Sequence, residues 1–487
     1  MKSLERTNKE EFSVAISATL NSQLIHHLHP KGRQEEVAFA LYKPSLGKLR
    51  FTALIHEIIL PEKDERVLQG NVKINPAFFR RACKKALADE SGIALLHSHF
   101  TPGWQGMSND DFKTEFSYSS NSFDLTSLPF IGLTLGTDGA WSARIWEYQN
   151  DWYEKKSAAS VRVVGKQFEI YYNDTLRPKP VFQEIFKRTW TVWGEKNHEK
   201  LARLRIGIVG LGSVGSMVAE GLARMGIERL VLLDFDEVQR HNLDRLLGAS
   251  IQDIGHHKAL VAARQIYKNG TASHIQVTPV MAPITEEEGY QHALDCDIIF
   301  SCVDRPWPRH VLNHLAYQHL IPVIDGGIGV KMDTNTHLFE SANWQLQCVS
   351  PERPCLQCLN AYNPSDVSTE KEGLLEDPTY LKGLPANHQF KSNENIFPFS
   401  MNLASLEIMQ FIEFVTGIGQ NQHQGTTRYS YNHGFIRLGN KIHCEDGCFF
   451  AGSIASGDSL FEAPIGFDHS AELARIRQSQ GGVRGQV

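Results

Sequence analysis

A glycine-rich turn between an apolar segment and a helical pattern constrains the fold of this chain more than any other feature. The segment Arg205–Val209 is mostly apolar, and Gly210-Leu211-Gly212-Ser213-Val214-Gly215 follows it directly. A helical pattern then runs over residues 214–225, and residues 230–234 form a second apolar run. The succession of strand, glycine turn, helix and strand is typical of a doubly wound parallel sheet, so we predict a Rossmann-like α/β domain here.

The chain continues this pattern towards its C-terminal part. Residues 297–302 and 322–325 are predicted to be further strands, and residues 401–416 a long helix. Residues 360–395 are mostly polar and contain several turn formers. A loop of that length in a compact domain is usually functional or disordered, and we expect it to suit a channel for an extended peptide tail.

The chain has 487 residues, too many for one hydrophobic core, because domains usually hold about 100 to 200 residues. Its first part has apolar stretches between Pro- and Gly-bearing turns and a helical pattern over Pro76–Ala88, which predicts a mixed α/β domain. The predicted strands there are residues 37–42, 49–60, 94–99, 130–135 and 140–147. The predicted organisation is a first domain over residues 1–150, a linker with a lead-in helix over 151–200, the Rossmann-like domain over 201–455 and a tail over 456–487 with a short helix at 470–477.

Composition restricts the compartment and the partners. The formal net charge of −6 argues against a general binder of polyanions, so nucleic acid is not the expected partner. The N-terminal residues alternate in charge, and the most apolar long segment, residues 401–417, contains Glu407 and Glu413. We therefore predict a cytoplasmic protein without a membrane partner. In that reducing compartment the paired cysteines among the eight of the chain indicate metal binding rather than disulfides.

Two histidines near the end of an apolar strand form the first candidate site. Side chains at i and i+2 of a β-strand point to the same side, so His97 and His99 present two imidazoles to one point. Further on, Ser108-Asn109-Asp110-Asp111 has the pattern of a helix start, which allows Asp111 to supply a third ligand. Two histidines and one carboxylate leave one zinc position open for water, as in a catalytic zinc site.

A simpler interpretation of part of this pattern needs no metal. Ser108 followed by Asp111 also suits an N-cap with an acidic residue in the first helical turn. The cap does not explain two histidines on one face of an otherwise apolar strand. We therefore favour the metal site and keep the cap as the alternative.

Residues 35–147 resemble the JAB/MPN (JAMM) family of zinc isopeptidases, whose motif is an upstream Glu, then His-x-His, then Ser-x-x-Asp. The resemblance implies that His97, His99 and Asp111 are zinc ligands. It further implies that the hydroxyl of Ser108 stabilises the oxyanion of the reaction.

The same resemblance implies a glutamate as general base at the start of an early apolar strand. Glu36 in EEVAFALY fits this position best, with a solvent-facing strand residue as the alternative interpretation. Phe39 stands where the family commonly has Gly, so Glu35 stays open as the base. Glu57, which interrupts the apolar run LIHEIILP, is the next candidate. The weaker candidates, which share a charged turn, are Glu62 and Glu65.

The glycine turn forms the second candidate site. Gly210, Gly212 and Gly215 let backbone N–H groups and a helix N-terminus approach a phosphate. Asp234 follows about 20 residues later at the end of the next strand, where a carboxylate binds a ribose hydroxyl. These features alone indicate NAD or FAD as readily as ATP.

The polar residues that follow favour ATP. A hydride-transfer enzyme has no need of such a set, whereas attack of a carboxylate on an α-phosphate needs cations and Mg²⁺ around the developing charge. Asp304 adds a carboxylate at the carboxyl end of a strand, where open α/β sheets bind ligands. Surface charges and a plain turn aspartate are the alternatives for these residues taken singly. The polar set consists of Asp236, Asn242, Arg245 and Lys258.

Residues 200–450 resemble the ThiF/MoeB/E1 family of ubiquitin-like activating enzymes. LLDFDEVQRHNLDR is similar to the family's Asp-x-Asp-x-Val-x3-Asn-Leu-x-Arg segment, Gly255-His256-His257-Lys258 to its Gly-x-x-Lys, and Cys302-Val303-Asp304 to its Cys-x-Asp. The resemblance implies that Asp234 binds the ribose, that Asn242, Arg245 and Lys258 hold the phosphates, and that Asp304 positions Mg²⁺ or the nucleotide. Leu246 and Arg305 depart from the Gln and Asn that are common at their positions.

The same family resemblance implies further features. Its dimers use an arginine from a preceding helix, for which Arg188 is the candidate, with a surface arginine as the alternative. Cys355, Cys358, Cys444 and Cys448 resemble the structural zinc site of the family, with His443 as an alternative ligand and unligated thiols as the alternative state. No cysteine lies between Cys358 and Cys444, where thioester-forming relatives carry their nucleophile, and Cys302 and Cys348 are poor substitutes.

These resemblances predict a bifunctional protein of a bacterial-type ubiquitin-like pathway. The Rossmann-like domain is expected to adenylate the Gly-terminated tail of a ubiquitin-like protein with ATP and Mg²⁺, and the first domain to cleave after that tail. One catalytic and one structural Zn²⁺ and a homodimer are also implied. Because the cysteine is missing, the adenylate is expected to pass either directly to a nucleophile or to a cysteine of an E2-like partner. The alternatives are a scaffold with inactive sites, a nicotinamide-dependent enzyme, and an adenylating enzyme for a sulfur carrier or small metabolite.

Overall fold

The computed structural model describes residues 9–29, 34–69, 71–149, 152–181, 184–333, 336, 338–376, 378–383, 395–419 and 424–460. The chain divides into two compact units. The first takes in the described residues up to Lys179 together with Gln318–Leu320 and Ser453–Leu460, and the second takes in the remainder. The helix predicted at residues 470–477 lies outside the described residues.

The first unit is of mixed α/β type. Its elements are β1 (Glu11–Ser17), α1 (Ala18–Leu28), β2 (Val37–Leu46), β3 (Arg50–Ile59), β4 (Arg66–Gln69), β5 (Asn71–Ile74), α2 (Pro76–Ala88), β6 (Gly92–Ser98), α3 (Asn109–Thr126), β7 (Phe130–Leu135), β8 (Trp141–Gln149), β9 (Trp152–Ser157), β10 (Ser160–Val164) and β11 (Phe168–Tyr172). Nine strands form one sheet in the order β11-β10-β1-β3-β2-β6-β7-β8-β9, and β4 and β5 form a separate hairpin.

Two hydrophobic cores cover the two faces of this sheet. On one face α1 packs through Leu24 and Leu28 against residues such as Ala38 and Leu96. On the other face Phe78 of α2 packs with Phe39, Leu95 and their neighbours. Side chains alternate between the faces along each strand, so the face of every residue in β2 and β6 is determined by its place in the register.

The sheet also takes in three strands from the segment that was predicted to be a linker. β10 pairs in parallel with β1, and β11 pairs with β10. β9 continues from β8 as an antiparallel hairpin, Trp146 lying opposite Lys155. β9 is mostly polar and exposed, whereas every residue of β10 is buried. Pairing within the sheet therefore decided the structure of this segment.

The second unit contains the predicted Rossmann-like sheet. Its elements are α4 (Lys187–Trp193), α5 (Glu195–Ala202), β12 (Arg205–Val209), α6 (Ser213–Arg224), β13 (Arg229–Leu233), α7 (Lys258–Asn269), β14 (Gln276–Val280), α8 (Glu287–Leu294), β15 (Ile298–Ser301), α9 (Pro306–Gln318), β16 (Val323–Met332), β17 (Phe339–Val349), α10 (Pro364–Lys371), α11 (Pro378–Gly383), α12 (Phe397–Thr416), β18 (Thr427–Ser430), β19 (Phe435–Leu438) and α13 (Phe449–Gly452). The strand order is β14-β13-β12-β15-β16-β17-β18-β19.

The first five of these strands are parallel and the last three are antiparallel. The chain order reverses between β12 and β15, which are neighbours in the sheet. In open α/β sheets ligands bind beside the carboxyl ends of the strands at this reversal. The fold therefore marks the loops after β12 and β15 as the binding edge.

The predicted loop over residues 360–395 contains two short helices, α10 and α11. Asn363 caps α10 by accepting a hydrogen bond from the backbone N–H of Ser365, and Pro364 occupies the first turn. Residues 384–394 lie outside the described residues. Among the described residues no helix combines the length and apolar character needed to cross a membrane.

Candidate functional site

The structure brings His97, His99 and Asp111 together in the first unit. Nε2 of His97 lies 3.1 Å from Nε2 of His99 and 3.4 Å from one carboxylate oxygen of Asp111. Nε2 of His99 lies 3.3 Å from the other oxygen of Asp111. One ligand atom from each residue lies within 4.8 Å of the others, a grouping able to hold a metal ion. The predicted convergence of β6 and the start of α3 is therefore present, and we call these three residues the His/Asp cluster.

Ser108 and Asp111 also form the helix cap that was the alternative interpretation. The side chain of Ser108 accepts a hydrogen bond from the backbone N–H of Asp111, and the carboxylate of Asp111 accepts one from the backbone N–H of Ser108. Both interpretations thus hold for the same two residues. The cap orients Asp111 at the start of α3. Its Oδ2, which accepts the cap hydrogen bond, also lies near Nε2 of His99, and its Oδ1 lies near Nε2 of His97.

Electrostatic interactions connect the members of the cluster. Burial acts to raise the pKa of Asp111, but hydrogen bonds with His97 and His99 outweigh it and hold that pKa well below its usual range. The hydrogen bond to Asp111 raises the pKa of His99. An ionised carboxylate between two imidazoles has the donor set that zinc takes in catalytic sites, with three protein ligands and one open position.

Glu36, the predicted general base, faces away from this cluster. Its carboxylate accepts two hydrogen bonds from Arg66, each 2.6 Å long, and lies 3.6 Å from Nε2 of His27 on α1. The register explains this orientation, because Val37 lies opposite His97 and the backbone of Glu36 bonds Ser98. Glu36 therefore belongs to the α1 face of the sheet, and the structure does not bring it to the histidines.

Glu35, the alternative candidate, belongs to the face of the histidines. It is two residues before Val37, so strand alternation gives it the same face as His97. Burial raises the pKa of Glu35, while the charges of His99 and His97 lower it and that of Asp111 raises it further. These interactions connect the carboxylate of Glu35 with all three members of the His/Asp cluster.

The remaining glutamate candidates are engaged elsewhere. Glu57 forms an exposed ion pair with Lys85 of α2. Glu65 is bound by Arg81, which also approaches Glu62 at 3.6 Å. These three glutamates therefore contact basic residues of α2 rather than the cluster.

The glycine turn of the second unit depends on close backbone contacts. A Cβ on Gly215 would lie 1.9 Å from the carbonyl oxygen of Gly210, and a Cβ on Gly210 would lie 2.6 Å from the carbonyl oxygen of Cys302. Gly210 also has a φ of 88°, a conformation that favours glycine. In contrast, no described atom lies within 4 Å of the Cβ position of Gly212. The turn is therefore tight on its inner side and open at Gly212, at the N-terminus of α6.

Asp234, at the end of β13, holds this turn in place. Its carboxylate accepts hydrogen bonds from the backbone N–H groups of Leu211, at 2.6 Å, and Asp236, at 2.8 Å. Burial raises the pKa of Asp234 to about 6 against the opposing charge of Lys258. Asp234, the residue predicted to bind the ribose, thus lies beside the glycine turn and holds its backbone in place.

Lys258 provides a largely buried cation near three carboxylates. Its Nζ donates a hydrogen bond to Asp236 at 2.8 Å. Burial acts to lower the pKa of Lys258, but the charges of Asp234, Asp236 and Asp304 raise it above its usual range. Asp304 is exposed in the turn after β15. The structure therefore brings together the residues that follow β13 and β15 at the predicted binding edge.

Asn242 and Arg245 make their bonds within their own turn. The side chain of Asn242 accepts a hydrogen bond from the backbone N–H of Gln239, and Arg245 donates to the carbonyl of His241 and to Asp244. Leu246, which departs from the family pattern, is buried in a small core with Val238 and Val261. A hydrophobic anchor under this turn accounts for leucine at that position.

Four cysteines of the second unit converge as predicted. Cys355, Cys358, Cys444 and Cys448 can each offer a sulfur within 4.8 Å of the others. Backbone N–H groups of Cys355, Cys358 and Glu445 donate to three of these sulfurs. Such bonds stabilise thiolates, and four thiolates suit a closed structural zinc site. The cluster is complete without His443, the alternative ligand.

Neither of the other candidate cysteines is placed for nucleophilic chemistry. Burial and the neighbouring Glu407 raise the pKa of Cys302 well above its usual range. Burial raises the pKa of Cys348, on β17, to about 11. A thiol is nucleophilic mainly as the thiolate, so the prediction that these residues are poor substitutes agrees with their surroundings. Arg188 is exposed on α4.

Sequence reasoning missed three residues that adjoin the His/Asp cluster. Glu115 lies one helical turn after Asp111, and it is bound by Arg144 of β8. Thr134 of β7 lies 3.3 Å from Nε2 of His97. An acidic residue four positions after a proposed ligand and an arginine within an apolar strand were the signals that could have identified this group.

Comparison with known proteins identifies the second unit. Residues 186–445, more than half of the chain, match the model of the ThiF family. The SAMP-activating enzyme E1 of Haloferax volcanii is 28% identical over 34% of this chain and 57% of its own length. The molybdopterin-synthase adenylyltransferase of Escherichia coli is 29% identical over 33% of this chain and 61% of its own. The tRNA threonylcarbamoyladenosine dehydratase of Escherichia coli is 30% identical over 31% of this chain and 57% of its own length.

The aligned part is a portion of each protein. This chain spans a little under two thirds of the length of these relatives, and the alignments cover about a third of the chain itself. The three relatives have different named activities, so the similarity defines a common unit rather than one substrate. The parallel sheet, the glycine turn and the match over residues 186–445 agree with one another. This chain belongs to the ThiF family.

Proposed function

We propose that the second unit adenylates the C-terminal carboxylate of a ubiquitin-like protein with ATP and Mg²⁺. The observation that carries this proposal is the meeting of the open glycine turn with Asp234, Lys258 and Asp304 at the point where the strand order reverses. Two of the relatives, an E1 and an adenylyltransferase, bear names that agree with this chemistry. The dehydratase similarity supports a non-protein substrate as the alternative.

The residues present suit each part of the nucleotide. Open backbone N–H groups at Gly212 and the N-terminus of α6 suit a phosphate, and Asp234 suits the ribose hydroxyls. The carboxylates of Asp236 and Asp304 offer the oxygen ligands that Mg²⁺ prefers. Bound there, Mg²⁺ would supply positive charge next to the phosphates.

Lys258 is the residue with the clearest chemical role. A carboxylate oxygen of the substrate attacks the α-phosphorus, the bond from that phosphorus to the bridging oxygen breaks, and pyrophosphate leaves. Negative charge develops on the phosphate oxygens as this happens. The ammonium of Lys258 is positioned by Asp236 and stabilises that charge, and Arg245 adds a second cation from the neighbouring turn.

Exchange of labelled pyrophosphate into ATP tests this function. The purified chain is mixed with candidate proteins that end in glycine, and we expect exchange with at least one of them. Lys258→Ala should reduce the exchange rate about 10² to 10³-fold, the usual effect of removing one such cationic contact. Lys268→Ala, in the last turn of the same helix, is the matched control and should leave the rate unchanged. Background exchange with every tail would refute this function.

We also propose that the first unit is a zinc-dependent isopeptidase of the JAB/MPN type. The observation that favours this second activity is the His/Asp cluster with Glu35 on the same face of the sheet. His97, His99 and Asp111 would hold the zinc ion, which would act as a Lewis acid and lower the pKa of a bound water. Glu35 accepts the proton of the attacking water, and Ser108 lies at the start of α3, where its hydroxyl is available to the substrate oxygen.

Zinc content and cleavage test this activity together. We expect two zinc ions per chain, one at the His/Asp cluster and one at the four cysteines. Asp111→Asn should lose one ion together with cleavage of a ubiquitin-like fusion. Asp110→Asn changes the exposed neighbour and serves as control. Retention of two zinc ions by Asp111→Asn would remove the cluster from the proposal, and zinc binding without any cleavage would favour a scaffold.

The proposed reactions start and reverse a conjugation. The described cysteines include none placed to carry a thioester, so we propose that the adenylate passes directly to a nucleophile or to a cysteine of an E2-like partner. The homodimer and the cytoplasmic location stay predictions from the sequence.

A further inference from the structure

A fully buried ion pair lies directly behind the His/Asp cluster. Nε of Arg144 donates to both carboxylate oxygens of Glu115 at 2.9 Å, and Nη2 bonds the same carboxylate. Trp146 donates from Nε1 to Glu115 at 2.8 Å. Glu115 is 0% exposed and Arg144 is 5% exposed, so this pair is isolated from solvent.

The pair connects the two structural elements that meet at the cluster. Glu115 is on α3, four residues after Asp111, and therefore on the same side of that helix. Arg144 is on β8, and its Nη1 donates to Oγ1 of Thr134 at 2.7 Å. Thr134 lies opposite His97 in the parallel pair of β7 and β6. One guanidinium thus bonds the helix that carries Asp111 and the strand beside His97.

The sheet can accommodate the carboxylate of Glu115 because Gly132 has no side chain. Gly132 lies opposite Arg144 in the pairing of β7 with β8. A Cβ on Gly132 would lie 2.3 Å from both carboxylate oxygens of Glu115. Any larger residue would displace Glu115, so the missing side chain admits the carboxylate of α3 into the layer of the sheet.

Stability alone does not account for a pair of this kind. Two ions lose their hydration on burial, and replacement of such a pair by neutral residues of similar size is often neutral or stabilising. A buried charged pair beside the His/Asp cluster can instead set one geometry, because the hydrogen bonds of a guanidinium are directional.

We propose that the Glu115–Arg144 pair positions the residues of the His/Asp cluster. It fixes α3 on the sheet so that the carboxylate of Asp111 meets His97 and His99. The proposal rests on the zinc-binding role of the His/Asp cluster. Neither Glu115 nor Arg144 contacts the ligand site itself, so both act through Asp111 and Thr134.

Metal binding by Glu115→Gln, Arg144→Met and the double variant tests this role. Each single variant leaves one buried charge without its partner and is expected to lower both stability and metal affinity. The double variant removes both charges and keeps an acceptor for Trp146, so its unfolding midpoint should recover towards the wild-type value. Its affinity for zinc at the His/Asp cluster should stay at least about tenfold weaker than wild type.

Cobalt provides the second measurement. The zinc ion at the His/Asp cluster is removed with a chelator and replaced by Co²⁺, whose visible bands report the ligand geometry. We expect altered bands in the double variant. The matched control is the buried pair of Arg177 with Glu11 in the same unit, since the double change Arg177→Met and Glu11→Gln should leave affinity and bands unchanged.

The outcomes separate the two proposals. Recovery of both stability and wild-type metal binding in the double variant would show a purely structural pair and overturn the positioning role. Failure of the wild-type chain to bind metal at the His/Asp cluster would instead overturn the isopeptidase proposal on which it rests.

Discussion

The His/Asp cluster of the first unit and the nucleotide loops of the second are built in different ways. In the first unit His97 on β6, His99 just after it and Asp111 on α3 each offer a ligand atom within 4.8 Å of the others. In the second unit the candidate nucleotide-binding residues are held by local contacts, Asp234 by the backbone of the glycine turn and Asn242 by its own turn. The first is a convergence of side chains, and the second is a set of backbone turns at strand ends.

This difference indicates which structural changes each site tolerates. A metal site depends on distances between side-chain atoms, so small shifts of α3 against the sheet matter. A phosphate site depends on exposed backbone N–H groups, so it is sensitive to any side chain that blocks or distorts the turn. Each prediction below tests one side of this comparison.

The largest expected effect comes from the two adjacent glutamates of the first unit. Glu35→Gln should reduce cleavage about 10² to 10⁴-fold and keep zinc, because it removes a general base without removing a ligand. Glu36→Gln should leave cleavage within a few-fold of wild type and instead weaken the bond to Arg66, at a cost of about 1.5 to 3 kcal/mol in unfolding free energy. Cleavage rates and denaturant unfolding measure the two effects. Loss of cleavage confined to Glu36→Gln would reverse our assignment.

The glycine turn offers a matched pair in the second unit. Gly215→Ala should destabilise this unit by about 3 kcal/mol or more, because its Cβ would lie 1.9 Å from the carbonyl of Gly210. Gly212→Ala should fold normally, since space surrounds its Cβ among the described residues, yet lose exchange activity at least about tenfold by obstructing the phosphate. Urea unfolding and pyrophosphate exchange distinguish them. Full activity of Gly212→Ala would argue against phosphate binding at the turn.

A buried leucine tests the support of the nucleotide turn. Leu246→Gln restores the residue that is common in the family but places an amide in the core with Val238 and Val261. We expect a loss of about 1 to 3 kcal/mol, the usual cost of burying an amide without partners. Leu260→Gln, an exposed position on α7, is the control. Unchanged stability of Leu246→Gln would mean that the turn repacks.

The smallest expected effect concerns the cap of α3. Ser108→Ala should cost about 1 kcal/mol of unfolding free energy through loss of the N-cap. Ser117→Ala, at an exposed position on the same helix, should cost less. If Ser108 also stabilises the substrate oxygen, cleavage at a temperature well below unfolding falls in the first variant and persists in the second. Equal cleavage in both would restrict Ser108 to the cap.

Residue spacing alone predicted a large part of both units. The strand and helix bounds around the glycine turn agree with the structure within one residue, since β12 is Arg205–Val209 and α6 is Ser213–Arg224. The i, i+2 spacing of His97 and His99 predicted their common face. These features are local, so they follow from periodicity and turn chemistry over a few residues.

Non-local pairing decided what the sequence left open or placed wrongly. Three strands formed in the predicted linker: β10 pairs with the distant strand β1, and β9 and β11 form hairpins with their chain neighbours β8 and β10. Glu115 and Arg144 form a buried pair although they lie on different elements, α3 and β8. No local sequence pattern at either residue predicts its partner.

The sequence by itself determined that this chain has a glycine turn of the phosphate-binding type, two histidines on one strand face and four cysteines in two pairs. Tertiary structure alone decided which of two adjacent glutamates faces the histidines. Glu35 and Glu36 are adjacent residues of the same type. Only the register that sets Val37 opposite His97 determines which of the two faces the histidines. A shift of one residue turns every side chain of a strand to the other face, so such a choice depends on pairing with a distant strand.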